Sequence, residues 1–63
     1  MPEFPQVVGK TGEEAKQIIL HDHADFDVQI LLEGSPCTRD FRPNRVRVFV
    51  DNHNIVTSVP RTG

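Results

Sequence analysis

The chain has 63 residues, of which 37% are hydrophobic and 25% are charged. This length predicts one small domain over residues 1–63, and such a domain buries only about 60% of the surface that its unfolded chain exposes. Seven basic and nine acidic side chains give a formal net charge of −2, which argues against binding to nucleic acid or to a membrane surface. No apolar run approaches the roughly 20 residues that span a bilayer, and no signal-peptide pattern follows Met1.

The single cysteine, Cys37, excludes an internal disulfide and gives no information on the cellular compartment. An exposed Cys37 is a reactive thiol or links two copies of an otherwise monomeric chain, whereas a buried one is a small apolar side chain. One cysteine and three scattered histidines do not match a zinc site. Because His21 and His23 do not share a helix face, we expect no metal there either.

The amino-terminal third contains one predicted helix. Residues 4–9 are predicted to form an extended arm with an apolar anchor, because a proline disfavours helical conformations of the residue before it, here Phe4. A helix is predicted over residues 12–21, where apolar side chains recur at helical spacing. Thr11 and Glu14 have the spacing of a capping box at its start.

Two strands are predicted, over residues 27–32 and 45–50. In the second strand every other residue is valine, and Arg45 and Arg47 lie together on the opposite face. A last short strand is predicted over residues 55–59, and Pro60 ends it.

Between the two main strands lie 12 residues, 33–44, with no helical period. Loops of this length in compact domains tend to be functional. Pro36 and Pro43 restrict the backbone, which lowers the conformational entropy lost on binding. Arg39 lies near the middle of the loop, where a side chain projects most freely.

Arg45 and Arg47 are two apart on a strand, so their side chains point the same way. If that face lies under the loop, they can donate charge-assisted, forked hydrogen bonds to the Asp40 carboxylate and the Thr38 hydroxyl. The loop would then be rigid and would display Arg39. The alternative is an ordinary surface loop with arginines of no specific role.

A second interpretation takes the arginines as a binding site for a polyanion such as heparin or nucleic acid. Four of them fall within nine residues: Arg39, Arg42, Arg45 and Arg47. No series of aromatic side chains is interleaved with them to form a platform for bases, and the net charge is negative. The chain shows no catalytic set and no phosphate-binding motif, and it is short for enclosing a ligand pocket. We therefore expect neither an enzyme nor a cofactor.

Five segments together resemble the potato inhibitor I family of serine protease inhibitors: FPQVVGKT (4–11), EA (14–15), EGSPCTRD (33–40), NRVRVFV (44–50) and VPRTG (59–63). The resemblance covers almost the whole chain. It implies an α+β fold in which one helix packs on a small mixed sheet, with an extended protease-binding loop between two parallel strands. It is compatible with a secreted or vacuolar protein and assigns neither location.

The resemblance also implies a protease-binding loop, a reactive bond and a set of supporting residues. The loop comprises Gly34, Ser35, Pro36, Cys37, Thr38, Arg39, Asp40, Phe41 and Arg42, and the reactive bond joins Arg39 to Asp40. The implied support comes from Thr38, Asp40, Arg45, Arg47 and Gly63. The implied activity is reversible, substrate-like inhibition of serine endopeptidases, with trypsin-like targets expected and subtilisin-like targets left open.

Three residues of the loop differ from well-known members of that family. Arg39 stands where those members carry Leu or Met, which shifts the expected target toward trypsin-like proteases. Cys37 replaces a residue that is usually β-branched and apolar, and this leaves the packing of the loop open. Pro43 replaces a residue that is commonly aromatic or aliphatic.

Overall fold

A computed structural model describes residues 2–63, and in it one helix packs against a two-stranded parallel sheet. A short 3-10 helix covers Pro5–Val7, and the α-helix α1 covers Gly12–Asp22. The strands are β1, Asp27–Leu32, and β2, Arg45–Val50. The predicted helix and both main strands are therefore present, with the end of the helix one residue later than predicted.

Helix α1 begins at a complete capping box, as predicted. Oγ1 of Thr11 accepts from the Glu14 N–H at 3.2 Å, and Oε1 of Glu14 accepts from the Thr11 N–H at 3.1 Å. The hydrogen bonds from the Thr11 amide and hydroxyl lower the pKa of Glu14. Its carboxylate therefore stays charged in the first helical turn, where the helix dipole favours negative charge.

The parallel pairing of β1 and β2 explains why a long loop joins them. The strands pair in register from Asp27 opposite Arg45 to Leu32 opposite Val50. A parallel connection must carry the chain back along the whole first strand, about 20 Å for six residues. Here no helix makes that return, so residues 33–44 make it as irregular, largely exposed chain.

The core lies between α1 and one face of the sheet. It consists of nine apolar side chains: Phe4, Val7, Ala15, Ile19, Val28, Val46, Val48, Val50 and Val56. The valine face of β2 is thus buried, whereas the apolar face of β1 becomes progressively exposed toward Leu32, which is 57% exposed. The start of α1 sits close to both strands: a Cβ on Gly12 would lie 2.9 Å from Cγ2 of Ile30 and 3.2 Å from Cγ1 of Val50.

The extended arm predicted over residues 4–9 is only partly correct. Phe4 is buried and lies outside the helical region, with φ −128° and ψ 65°. The residues that follow form the 3-10 helix Pro5–Val7 instead of continuing extended. The fixed φ of a proline suits the first position of a helix, and this preference is expressed immediately after Phe4.

The last strand predicted over residues 55–59 is wrong. Residues 55–63, here called the terminal segment, form strand pairing with β2 only at isolated antiparallel bridges, Val50 with Val56 and Val46 with Thr62. Between those bridges the terminal segment advances by six residues while β2 advances by four. The two extra residues, and a proline without an N–H, interrupt the pairing. A groove of about 530 Å³ opens between β2 and the part of the terminal segment that turns away from it.

Candidate functional site

The candidate site is the loop of residues 33–44, which leaves β1 through a tight turn. The N–H and the hydroxyl of Ser35 both donate to the Leu32 carbonyl, at 3.1 Å and 2.5 Å. Gly34 has a φ of +82°, a left-handed conformation that favours glycine at the third position of a turn. The turn fixes the direction in which the loop departs from the sheet.

A second turn returns the loop to β2. The Arg45 N–H donates to the Arg42 carbonyl at 3.2 Å, which places Pro43 at the second position of the turn. Proline is favoured there because its φ is already set. The Asn44 carbonyl then accepts from the Asp27 N–H at 2.8 Å and extends the pairing of the two strands by one residue. Pro43 therefore shapes the exit of the loop.

Between the two turns every residue from position 36 to 42 is exposed. Phe41 is 60% exposed, so the loop presents one large apolar side chain to solvent. Cys37 is exposed and free, with its Sγ 3.5 Å from the Ser35 carbonyl. Of the two alternatives for this thiol, exposed or buried, the structure therefore shows the exposed one. Arg39 lies in the centre, and it has no ion-pair partner within residues 2–63.

Arg45 connects the loop to the terminal segment. Its side chain is only 5% exposed, so its donors need partners within the protein. Nη2 donates to the Asp40 carbonyl at 2.6 Å, Nη1 to Asp40 Oδ2 at 3.2 Å, and Nε to the Gly63 oxygen at 3.0 Å. The Gly63 N–H donates back to the Arg45 carbonyl at 3.0 Å. One guanidinium thereby fixes Asp40 and Gly63 relative to β2.

Arg47 lies on the same face of β2 and contacts Thr38, the residue that precedes Arg39. Its Nη2 donates to Oγ1 of Thr38 at 2.8 Å. Thr38 and Asp40 are therefore both hydrogen-bonded to side chains of β2, while the residue between them projects into solvent. The structure brings together all five predicted supporting residues: Thr38, Asp40, Arg45, Arg47 and Gly63.

The electrostatics of Asp40 follow from these contacts. Hydrogen bonding from the Thr38 hydroxyl, and after it the guanidinium of Arg45, holds the pKa of Asp40 below its ordinary value of 3.8. Partial desolvation of the carboxylate acts in the opposite direction and does not cancel them. The carboxylate is therefore charged throughout the neutral range, and its bond to Arg45 is charge-assisted on both sides.

The same geometry bears on the polyanion-binding alternative. Arg45 is buried and bonded to Asp40, and Arg47 is half-buried and bonded to Thr38. The four arginines thus do not form one exposed basic surface. No group of three or more metal-ligating side chains, and no helix with the length and hydropathy of a membrane span, occurs within residues 2–63.

One contact of the loop has no counterpart in the sequence reasoning. The Thr57 hydroxyl donates to Oε2 of Glu33 at 2.6 Å, although the two residues are 24 apart in the chain. No short-range pattern signals such a pair. Only the antiparallel course of the terminal segment along β2 brings Thr57 to the start of the loop.

Comparison with known proteins defines the class of this chain. Residues 2–63 match the model of the potato inhibitor I family, and the chain belongs to that family. Its relatives are protease inhibitors and not enzymes. The α+β fold that the resemblance implied is confirmed: the crystal structure of bitter gourd trypsin inhibitor superimposes with a TM-score of 0.94 at 40% identity, covering 100% of this chain and 93% of that one.

Three sequence relatives show the range of the family. Eglin C of Hirudo medicinalis is 45% identical, with 100% of this chain and 91% of the relative aligned. An inhibitor of trypsin and Hageman factor from Cucurbita maxima is also 45% identical, over 95% of this chain and 88% of its own length. Subtilisin inhibitor CLSI-I of Canavalia lineata is 40% identical, over 95% and 91%.

Proposed function

We propose that this chain is a reversible, tight-binding inhibitor of trypsin-like serine endopeptidases that binds as a substrate does. Arg39 enters the primary specificity pocket, and the reactive bond is Arg39–Asp40. The observation that supports this most strongly is the exposed Arg39 between Thr38 and Asp40, each of which is hydrogen-bonded to β2. The loop of residues 34–42 forms the contact surface.

The side chain of Arg39 selects the protease. The pocket of trypsin has an aspartate at its base, and a guanidinium pairs with a carboxylate through two parallel hydrogen bonds. Two of the similar proteins carry trypsin in their names, and a third carries subtilisin. Subtilisin-like proteases are therefore the second class of target in this proposal.

Affinity comes from the order that the loop already has. A flexible peptide loses conformational entropy when it is immobilised in a cleft, whereas a loop held by Arg45 and Arg47 has lost most of it on folding. A dissociation constant near ~1 nM, which corresponds to about −12 kcal/mol, is the affinity expected of such an interface.

The same order makes cleavage unproductive. A cut after Arg39 divides the chain into residues 1–39, with α1 and β1, and residues 40–63, with β2. The strand pairing and the bond from Arg47 to Thr38 both cross that cut. The two new ends stay close together, so religation competes with release. All catalytic groups belong to the protease.

The test is an inhibition panel of trypsin, chymotrypsin, elastase and subtilisin, with a reducing agent present. We expect a monomer that inhibits trypsin most strongly, and exposed Cys37 as the only group through which copies become linked without the reductant. Cys37→Ser is the control, with inhibition retained and any disulfide-linked dimer abolished. Absence of inhibition of all four proteases would overturn the proposal.

A further inference from the structure

The start of the loop carries a tether that is separate from the two arginines. Oε2 of Glu33 accepts from the Thr57 hydroxyl at 2.6 Å, a distance typical of a hydroxyl bonded to a charged carboxylate. Glu33 is the first loop residue and the second residue of the turn that directs the chain away from β1. Its backbone is also held, because the Glu33 N–H donates to the Val50 carbonyl at 2.8 Å.

The position of this tether follows from the order of the chain segments. β1 pairs with one edge of β2, and the terminal segment bridges the other edge through Val56. The bond from Glu33 to Thr57 therefore passes across the end of β2 and joins the segments on its two sides. The terminal segment thus supports the loop at two places. Thr57 bonds to Glu33 at the start of the loop, and Gly63 accepts from Arg45, which also bonds to Asp40.

We propose that Thr57 and Glu33 are positioning residues for the inhibitory reaction: they hold the amino-terminal arm of the loop, residues 33–38, in place before and after cleavage of Arg39–Asp40. This inference rests on the proposed function. The cut leaves Glu33 on one fragment and Thr57 on the other, so their bond spans the two fragments, as the bond from Arg47 to Thr38 does. The bond from Arg47 to Thr38 holds the new carboxyl end at Arg39, and the bond from Thr57 to Glu33 holds the turn from which that end extends.

The experiment compares Thr57→Val with Thr57→Ser. Valine keeps the shape of the side chain and removes the donor, whereas serine keeps the donor. With trypsin as the probe, we expect Thr57→Val to be hydrolysed at Arg39–Asp40 about two- to tenfold faster than the parent, and Thr57→Ser to behave like the parent. Equal hydrolysis of the valine variant and the parent, or equal acceleration in both variants, would overturn the inference.

Two further measurements separate positioning from general stability. Thr11→Ala removes the helix cap, whose side-chain bonds go to Glu14 and not to the loop, so it lowers the urea midpoint and should leave hydrolysis unchanged. Acceleration in this variant equal to that of Thr57→Val would contradict a specific tether. In Glu33→Ala, the addition of Thr57→Val should cause no further acceleration, because both changes remove one bond. Additive acceleration contradicts that pairing.

The inference and the proposed function fail in different ways. If the parent chain inhibits no protease, the proposed function is wrong, and the tether is then judged by amide hydrogen exchange. Faster exchange of the Glu33 and Ser35 amides in Thr57→Val than in Thr57→Ser would support the tether without any protease. Identical exchange in the two variants would reject it.

Discussion

Arg45 donates to Asp40 twice, from Nη2 to the backbone carbonyl at 2.6 Å and from Nη1 to the carboxylate at 3.2 Å. The first bond fixes the peptide that follows the proposed reactive bond, and the second fixes the side chain of the same residue. Because Arg45 is itself buried on β2, its bonds hold the exposed loop in a fixed position relative to the core of the domain. This relationship lets a domain of 63 residues present an ordered loop.

Arg39→Leu should change the target of inhibition. Loss of the guanidinium leaves the aspartate of the trypsin pocket buried without a partner, so the inhibition constant for trypsin should rise about 100-fold or more. Inhibition of chymotrypsin and elastase should strengthen, since their pockets accept apolar side chains. Arg39→Lys is the control, with trypsin inhibition retained. Unchanged trypsin inhibition by the leucine variant would contradict the assignment of Arg39.

Arg47→Ala should convert the inhibitor toward a substrate. The change removes the side-chain bond that holds Thr38 across the cut, so hydrolysis by trypsin at Arg39–Asp40 should accelerate by about tenfold. Arg61→Ala is the matched control, because it removes the same charge from a side chain whose ion pair with Glu3, at 3.9 Å, is exposed. Hydrolysis that is equally slow in both variants would show that the bond to Thr38 does not hold the loop.

The titration of Asp40 should report the order of the loop. Its pKa in the folded protein lies below 3.8, so the stabilisation it supplies is complete above that pH and is lost as the pH falls through the folded pKa. Thr38→Val removes the leading cause of the shift and should raise the pKa, whereas Thr38→Ser should not. The carboxyl carbon of Asp40, followed by NMR, provides the measurement. An Asp40 pKa at or above 3.8 in the parent would contradict the contacts described for it.

Gly12→Ala should destabilise the fold. The added methyl would lie 2.9 Å from Cγ2 of Ile30, a branched side chain that has little room to move, and the free energy of unfolding should fall by about 1–3 kcal/mol. Glu13→Ala, at the next and exposed helical position, should cause little change. Urea unfolding of both variants measures the difference. A variant as stable as the parent would mean that α1 packs less closely on the sheet than described.

Much of the fold could be predicted because local signals agree with the tertiary structure. The pair Thr11 and Glu14 defines the start of α1 from side-chain chemistry alone, and strict alternation in β2 places Arg45 and Arg47 on one face. That alternation also located the support of the loop, since the two guanidiniums reach Asp40 and Thr38 from that face.

The failures of prediction have a common physical cause. The apolar residues 55–59 have strand composition, but their pairing with β2 is interrupted by two extra residues that only the three-dimensional path reveals. The bond between Glu33 and Thr57 depends on that same path. Pro5 illustrates a local conflict, because it favours an extended Phe4 and, equally, a helical turn after itself.

The most direct test of the central claim is to incubate the chain with a catalytic amount of trypsin and to identify the new termini by mass spectrometry while inhibition is followed. The account predicts slow cleavage at one bond, Arg39–Asp40, to an equilibrium mixture of intact and cut chain that both inhibit. Rapid and complete cleavage there, or inhibition that persists with cleavage at another arginine, would contradict it.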